Sequence, residues 1–200
     1  MDGSTTVRRR DAAASTARLL AAATEEFAAH GYEGARVDRI SASSGLNRAL
    51  LFQRFGDKDG LYRAVLAQVA QDAAATRSDI VADRATPVDR AQFVGMVCDL
   101  VRETARFLVA HPDAARILAW ERAAGWAAFR AARPESDDPA ADQITEWFRQ
   151  GARRGWLREG PSPDRQLALV LELVTAVLSE SPEFVEGAVT AALVREEETR

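Results

Sequence analysis

Arg48, Gln53 and Lys58 lie within SGLNRALLFQRFGDK, residues 44–58, and their types suit one chemistry. A guanidinium pairs with the major-groove edge of guanine through two hydrogen bonds, and a glutamine carboxamide does the same with adenine. An ammonium is a compact charge suited to a phosphate. Lys58 is the only lysine among 26 basic residues. Placed on a wheel at about 100° per residue, Leu51 and Phe55 share one face, which Leu46 extends. The other side carries Ala49 and Gln53, flanked by Leu50 and Phe52, with Arg48 in the first turn. Small Ala49 permits close approach to a duplex, and Arg48 and Gln53 have the reach to meet base edges. Lys58 opens the next helix, where free amides and the positive dipole end already favour an anion.

The flanking residues position this short helix. Asn47 is a capping residue, Gly45 supplies the preceding turn, and Gly56 ends the helix. Asp57 then starts a longer helix running to about Ser78. Upstream, Leu19, Leu20, Ala23 and Phe27 form a stripe on a long helix capped by Asp11 or Ser15 and ended by Gly31. Val37 and Ile40 face a core from the segment between. Two helices joined by a short glycine-containing turn form a helix-turn-helix, whose second helix enters the major groove of double-stranded DNA.

Charge follows the same division. The chain carries a net −4 over 200 residues, yet residues 36–58 hold five basic side chains (Arg36, Arg39, Arg48, Arg54, Lys58) against Asp38 and Asp57. Arg8-Arg9-Arg10 add a basic block in a polar arm over residues 1–13. The electropositive footprint is local and N-terminal. At 47% hydrophobic and 28% charged, the chain is expected to be a soluble globular protein with a sizeable core. The lone Cys98 excludes an internal disulfide and a cysteine-based metal cluster. Neither a signal peptide nor an apolar run of membrane-spanning length stands out, so a reducing cytoplasm is expected.

Beyond residue 60 the pattern is helix after helix. Thr86-Pro87 opens one that His111-Pro112 closes; another runs to about Arg133, broken near Gly125. Pro134-Glu135-Ser136-Asp137-Asp138-Pro139 is a loop, and helices fit 140–155, 163–179 and 182–197. The expected class is all-α. Residues 167–178, LALVLELVTAVL, are apolar on nearly every side except at Glu172 and Thr175. Such a helix should pack both on its own core and on a partner. Leu167, Val170, Leu171, Val174 and Leu178, with Phe184, Val185, Val189 and Leu193 on the last helix, are the expected dimer interface. His30 and His111 have no neighbours at catalytic spacing, and Asp57-Lys58-Asp59-Gly60 lacks the later residues of a calcium loop. Catalysis, resident metal and cofactor are therefore not expected. A helical protein–protein adaptor without DNA binding is the alternative reading.

Gly31-Tyr32, Val37, Ile40, Gly45-Leu46-Asn47, Leu51-Phe52, Phe55, Lys58 and Leu61, with Arg18, Leu20, Ala23 and Phe27, resemble the DNA-binding domain of the tetracycline-repressor (TetR) family. The resemblance covers about residues 15–65. It implies an N-terminal three-helix DNA-binding domain, 14–74, with its reading motif at about 36–55. A C-terminal helical domain, 75–200, would bind a small-molecule effector and form a homodimer. It also implies a regulator, more often a repressor, that binds a pseudo-palindromic operator. The DNA-contacting set is Arg36, Asn47, Arg48, Ala49, Leu50, Phe52, Gln53 and Lys58. The implied effector cavity lies among the middle helices, with Phe93, Met96, Val97, Leu100, Phe107, Leu118, Trp120, Trp126, Trp147 and Phe148 as candidates for an apolar or aromatic ligand. The chain departs from the family pattern at four positions. Ala35 lacks the usual capping hydroxyl, Phe52 lacks a tyrosine hydroxyl, Gln53 replaces a common histidine, and Leu50 is larger than usual.

Overall fold

Leu19, Ala22, Ala23, Phe27 and Ala28 recur at helical spacing and are all buried, which gives the first helix a single apolar face. A computed structural model of the chain describes residues 3–82, 84–132, 138–176 and 182–194, with side chains from Arg10 onward except at positions 171, 182, 183 and 186. Helix α1 (Gly3–Gly34) is followed by α2 (Val37–Ser44), α3 (Arg48–Phe55) and α4 (Lys58–Val81). Then come α5 (Arg90–Ala110), α6 (Pro112–Ala123), α7 (Ala127–Ala132), α8 (Pro139–Arg153), α9 (Pro163–Ala176) and α10 (Pro182–Leu193). Among the described residues no strand forms; a single antiparallel bridge joins Leu157 to Val194. None of these helices is long and apolar enough to cross a membrane.

The helices divide into two compact units. The first runs through Ala70 and includes the segment beginning at Asp113; the second runs from Gln71 to Pro112 and takes in the described residues from Asp138 onward. This differs from a contiguous division near residue 74, because α6 and α7 belong with the N-terminal helices. Ile117 is fully buried in the same cluster as Phe27, Ile40, Leu51, Leu61 and Val65, with Ala128 and Phe129 packed against it. Trp120 explains part of the attachment. Gly31 breaks α1 with φ 64° and ψ 179°, and the indole lies where a Cβ on Gly31 would meet it at 3.1–3.3 Å. Its Nε1 donates to the Ala28 carbonyl at 3.2 Å. Glu121, 3% exposed, accepts from the Tyr62 hydroxyl at 2.7 Å and the Phe129 amide at 2.8 Å. Burial, followed by the hydrogen bond to Glu121 and its charge, raises the Tyr62 phenol above its ordinary value.

Two N-terminal expectations change. Helix α1 begins at Gly3, because Arg8 to Ala14 are good helix formers except Asp11, so the packed helix propagates backward through the expected arm at small cost. Ser15 is not a cap; its hydroxyl donates to the Asp11 carbonyl within that helix at 2.8 Å.

In the second unit, α5 begins at Arg90 rather than Pro87. Asp89 accepts from the Gln92 amide at 2.8 Å, while the Gln92 carboxamide accepts from the Val88 amide at 3.2 Å. This reciprocal arrangement satisfies amides that Thr86 would otherwise have served, and the Thr86 hydroxyl instead accepts from Trp147 Nε1 at 3.4 Å. Asp138 caps α8 through the Ala141 amide at 2.9 Å, and Arg77 donates to the other oxygen of that carboxylate. Phe93 meets Phe148 edge-on at 5.5 Å between centroids. Gly151 admits the Phe93 ring, which a Cβ there would meet at 2.9 Å. The loop expected at residues 134–139 lies largely outside the described residues.

Candidate nucleic-acid interface

Helix α3 has only eight residues, so isolated it would not be stable; its fixed position comes from caps and one buried face. The Asn47 side chain accepts from the Leu50 amide at 2.8 Å. Leu51 is fully buried, while Leu50, Phe52 and Phe55 pack half-buried on the same core. At the far end Gly56 takes φ 81°, and its amide closes the last turn on the Phe52 carbonyl at 2.8 Å. Arg48, Ala49 and Gln53 remain exposed. The expected face is therefore presented to solvent.

Arg48 is held, but loosely. Its guanidinium pairs with Asp38 at 2.9 Å, both side chains more than half exposed, and lies 5.1 Å from the centre of the Phe52 ring. An exposed ion pair contributes at most about 1 kcal/mol, so a base or phosphate can replace Asp38 as the partner. Phe52, which lacks a hydroxyl for phosphate, instead supplies the surface on which Arg48 rests.

The cap missing at Ala35 comes from another helix. Arg36 occupies the N-cap position of α2 without a side-chain cap, and Glu26 of α1 accepts its amide at 2.8 Å. The same carboxylate oxygen accepts from Arg39 Nε at 2.7 Å, and His30 stands 3.7 Å from its other oxygen. At the other end of α2, Arg18 donates to the Ser44 carbonyl at 2.5 Å. Arg36 keeps its side chain exposed.

Burial is the largest influence on the Glu26 carboxyl and raises its pKa. The hydrogen bonds from Arg39 and the Arg36 amide, with the charges of Arg39 and His30, outweigh it and hold the group below its ordinary 4.5. A depressed folded pKa contributes stability above the unfolded value, and that contribution disappears as pH falls through the folded one. Glu26→Gln should therefore lower the melting temperature at neutral pH and flatten its decline below about pH 4.5. Melts at several pH values check both effects, and an unchanged acid limb would remove Glu26 as a determinant.

Lys58 is the first residue of α4, where Asp57 caps the helix through the Gly60 amide at 2.7 Å. Its ammonium lies 4.6 Å from the centre of the Tyr32 ring and donates to the Glu33 carbonyl at 3.4 Å. The ring and carbonyl fix the charge beside the reading unit. Lys58→Ala should weaken binding to all DNA sequences alike and reduce the slope of log affinity against log salt by about 0.9. A changed sequence preference at constant slope would contradict the phosphate role.

The ten expected effector residues divide between the units. Phe93, Met96, Val97, Leu100 and Phe107 on α5, and Trp147 and Phe148 on α8, are buried side chains of the second unit. Leu118, Trp120 and Trp126 belong to the first. Two cavities of the second unit, of about 400 Å³ and 470 Å³, share only Met96 with the seven residues expected there.

The expected dimer stripe also changes character. Val170, Val174, Val185, Val189 and Leu193 are buried within their own unit, where α9 and α10 pack on α5. These five are therefore core rather than direct partner contacts. Leu167 is half-buried; Phe184 is 57% exposed and Leu169, outside the expected set, 39%. Leu178 and the side chain of Leu171 lie outside the described residues.

What sequence reasoning missed is the supporting contacts of Glu26, Arg18, Trp120 and the Glu121–Tyr62 pair. Each joins two different helices or a helix and its flanking turn, across 10 to 92 residues. Two local signs were available: Ala35, which cannot cap α2, and Gly31, since a helix break leaves a carbonyl needing a donor.

Comparison with known proteins agrees with this geometry. Residues 19–65 match the family described as bacterial regulatory proteins, tetR family, and residues 94–192 match the tetracyclin repressor-like C-terminal domain. The HTH-type transcriptional repressor SCO4008 of Streptomyces coelicolor is 33% identical over 162 residues, or 80% of this chain and 77% of that protein. The HTH-type transcriptional repressor AcnR of Corynebacterium glutamicum is 38% identical over 65 residues, 32% of each chain. A TetR-like transcriptional regulator from Rhodococcus sp. RHA1 superposes with a TM-score of 0.65 at 13% identity, covering 88% of this chain and 92% of that one. A mutant form of HlyIIR gives 0.62 at 16% identity, over 92% and 97%. The two structures bear on the fold alone, but the sequence matches span both halves: this chain belongs to the TetR family of helix-turn-helix, DNA-binding transcriptional regulators.

Proposed function

We propose that the protein is a cytoplasmic repressor that binds a pseudo-palindromic operator as a homodimer and is released by a small-molecule effector. The observation that carries the DNA reading is the exposed Arg48–Ala49–Gln53 face on a helix capped by Asn47 and anchored by buried Leu51. Repression is supported by relatives named as repressors. Proposed DNA contacts comprise base edges for Arg48 and Gln53, close approach at Ala49, and a thymine methyl or sugar edge for Leu50. Arg36, Asn47 and Lys58 meet the backbone, and Phe52 supports Arg48. An effector acts through unequal affinity for the DNA-competent and DNA-incompetent states.

The homodimer forms through α9 and α10, with Leu169 and Phe184 as contacts over the buried stripe. Light scattering at micromolar concentration should give twice the chain mass of 21.8 kDa, and Phe184→Asp should shift it toward the monomer. A wild-type monomer under those conditions would contradict the dimer. The enclosing functional claim is tested by a mobility shift on DNA upstream of the protein's own coding region: a salt-sensitive, sequence-dependent shift supports it, and no shift favours the adaptor reading.

A further inference from the structure

We propose that a cavity in the N-terminal unit binds an organic monocation and is the effector site. The effector role rests on the regulatory reading above; the binding chemistry stands on the cavity itself. Its volume is about 340 Å³, within the range of small-molecule sites. The aromatic residues Tyr32, Tyr62 and Trp120 and the acidic residues Glu33, Asp59 and Glu121 line it. His30 contributes the remaining titratable side chain of the lining, and no lysine or arginine does.

Glu121 sets the sign of the ligand. Its carboxylate is buried, and both its donors, the Tyr62 hydroxyl and the Phe129 amide, are neutral. Among the described residues it forms no ion pair, whereas Asp59 at the rim pairs with Arg63 at 2.9 Å. A buried negative charge held by neutral donors favours a cation placed beside it. Ring faces attract the same charge through their quadrupoles, and Tyr32 already receives the Lys58 ammonium. Trp120 is 47% exposed, leaving ring surface for a ligand to cover. An anion would enter a lining with three acidic residues and no basic one, and a neutral apolar molecule would gain nothing from their charge.

The same contacts link occupancy to DNA. Gly31, Tyr32 and the first turn of α4 belong to the unit that carries α3. A cation bound against Tyr32 repels the Lys58 ammonium resting on that ring, changing the position of the proposed phosphate contact.

Phenyltrimethylammonium and its uncharged isostere tert-butylbenzene provide the test, using calorimetry and intrinsic emission on the full chain. The cation should bind one per chain and at least about tenfold more tightly than the isostere. Glu121→Gln and Trp120→Leu should each weaken it by about tenfold or more, and Asp59→Asn, at the exposed rim, by a few-fold. Melting curves verify folding; if Glu121→Gln does not fold, the other two substitutions decide. Bound phenyltrimethylammonium should also lower operator affinity. Equal binding of both probes, or unaltered affinity in the folded variants, overturns the site. Binding without any change in operator affinity overturns its effector role. A protein that shifts operator DNA but ignores the cation contradicts this inference alone, whereas one that shifts no DNA even without a probe contradicts the regulatory reading.

Discussion

Replacing Arg48 and Gln53 together by alanine should abolish preference among DNA sequences while leaving a weaker, salt-sensitive binding intact. Each bidentate base contact contributes about 1–3 kcal/mol of discrimination, and the two side chains project from different turns of α3, so their losses should approximately add. The preferred site would lose about 2–6 kcal/mol, while unrelated sequences would lose little beyond the charge of Arg48. Folding should survive because both side chains are exposed and Arg48 contributes a solvated pair with Asp38 and a contact with the Phe52 ring. Titrations of the preferred and a scrambled site, at two salt concentrations, separate these terms. If the variant keeps the full ratio between the sites, α3 is not the reading helix.

A second large effect is expected at Gly60, where a Cβ would lie 2.0 Å from the Phe55 carbonyl oxygen. That neighbour is backbone at the end of the reading helix, so relief requires moving α3 or the start of α4. Gly60→Ala should destabilise the fold by about 3 kcal/mol or more, at the upper end of overpacking costs. Gly31→Ala should cost about 1–3 kcal/mol, combining a positive φ of 64° with a Trp120 ring at 3.1 Å that can shift. Gly56→Ala meets no atom within 4 Å and should cost about 1–2 kcal/mol from its strained backbone of φ 81° and ψ −61° alone. Denaturant midpoints should therefore fall in that order. A Gly60→Ala protein as stable as Gly56→Ala would contradict the packing at the α3–α4 junction.

Much of the reading head is legible in sequence because its determinants are local. Asn47 caps α3, Gly45 and Gly56 punctuate its ends, and Leu51 anchors it, all within ten residues of Arg48. Periodicity likewise identifies Val170, Val174, Val185 and Val189 as facing something apolar, but cannot distinguish their own core from a partner. The structure assigns them to the core. The attachment of α6 and α7 to the first unit was hidden for a related reason. Ile117, Trp120 and Glu121 form an ordinary amphipathic pattern, and their contacts with Phe27, Ala28 and Tyr62 span 59 to 92 residues where hydrogen bonds record them. Similarly, the deficiency at Ala35 was visible, while its remedy, Glu26, sits on another helix. A missing cap can be read from sequence; the group that replaces it requires tertiary contacts.

Sequencing the DNA fragments that the full-length protein retains from its own genome tests the central claim most directly. The predicted result is enrichment of one motif with two-fold-related half-sites, lost when Arg48 and Gln53 are both alanine. Retention of fragments without a shared motif, or an enriched motif unchanged by that double substitution, would contradict sequence reading by α3.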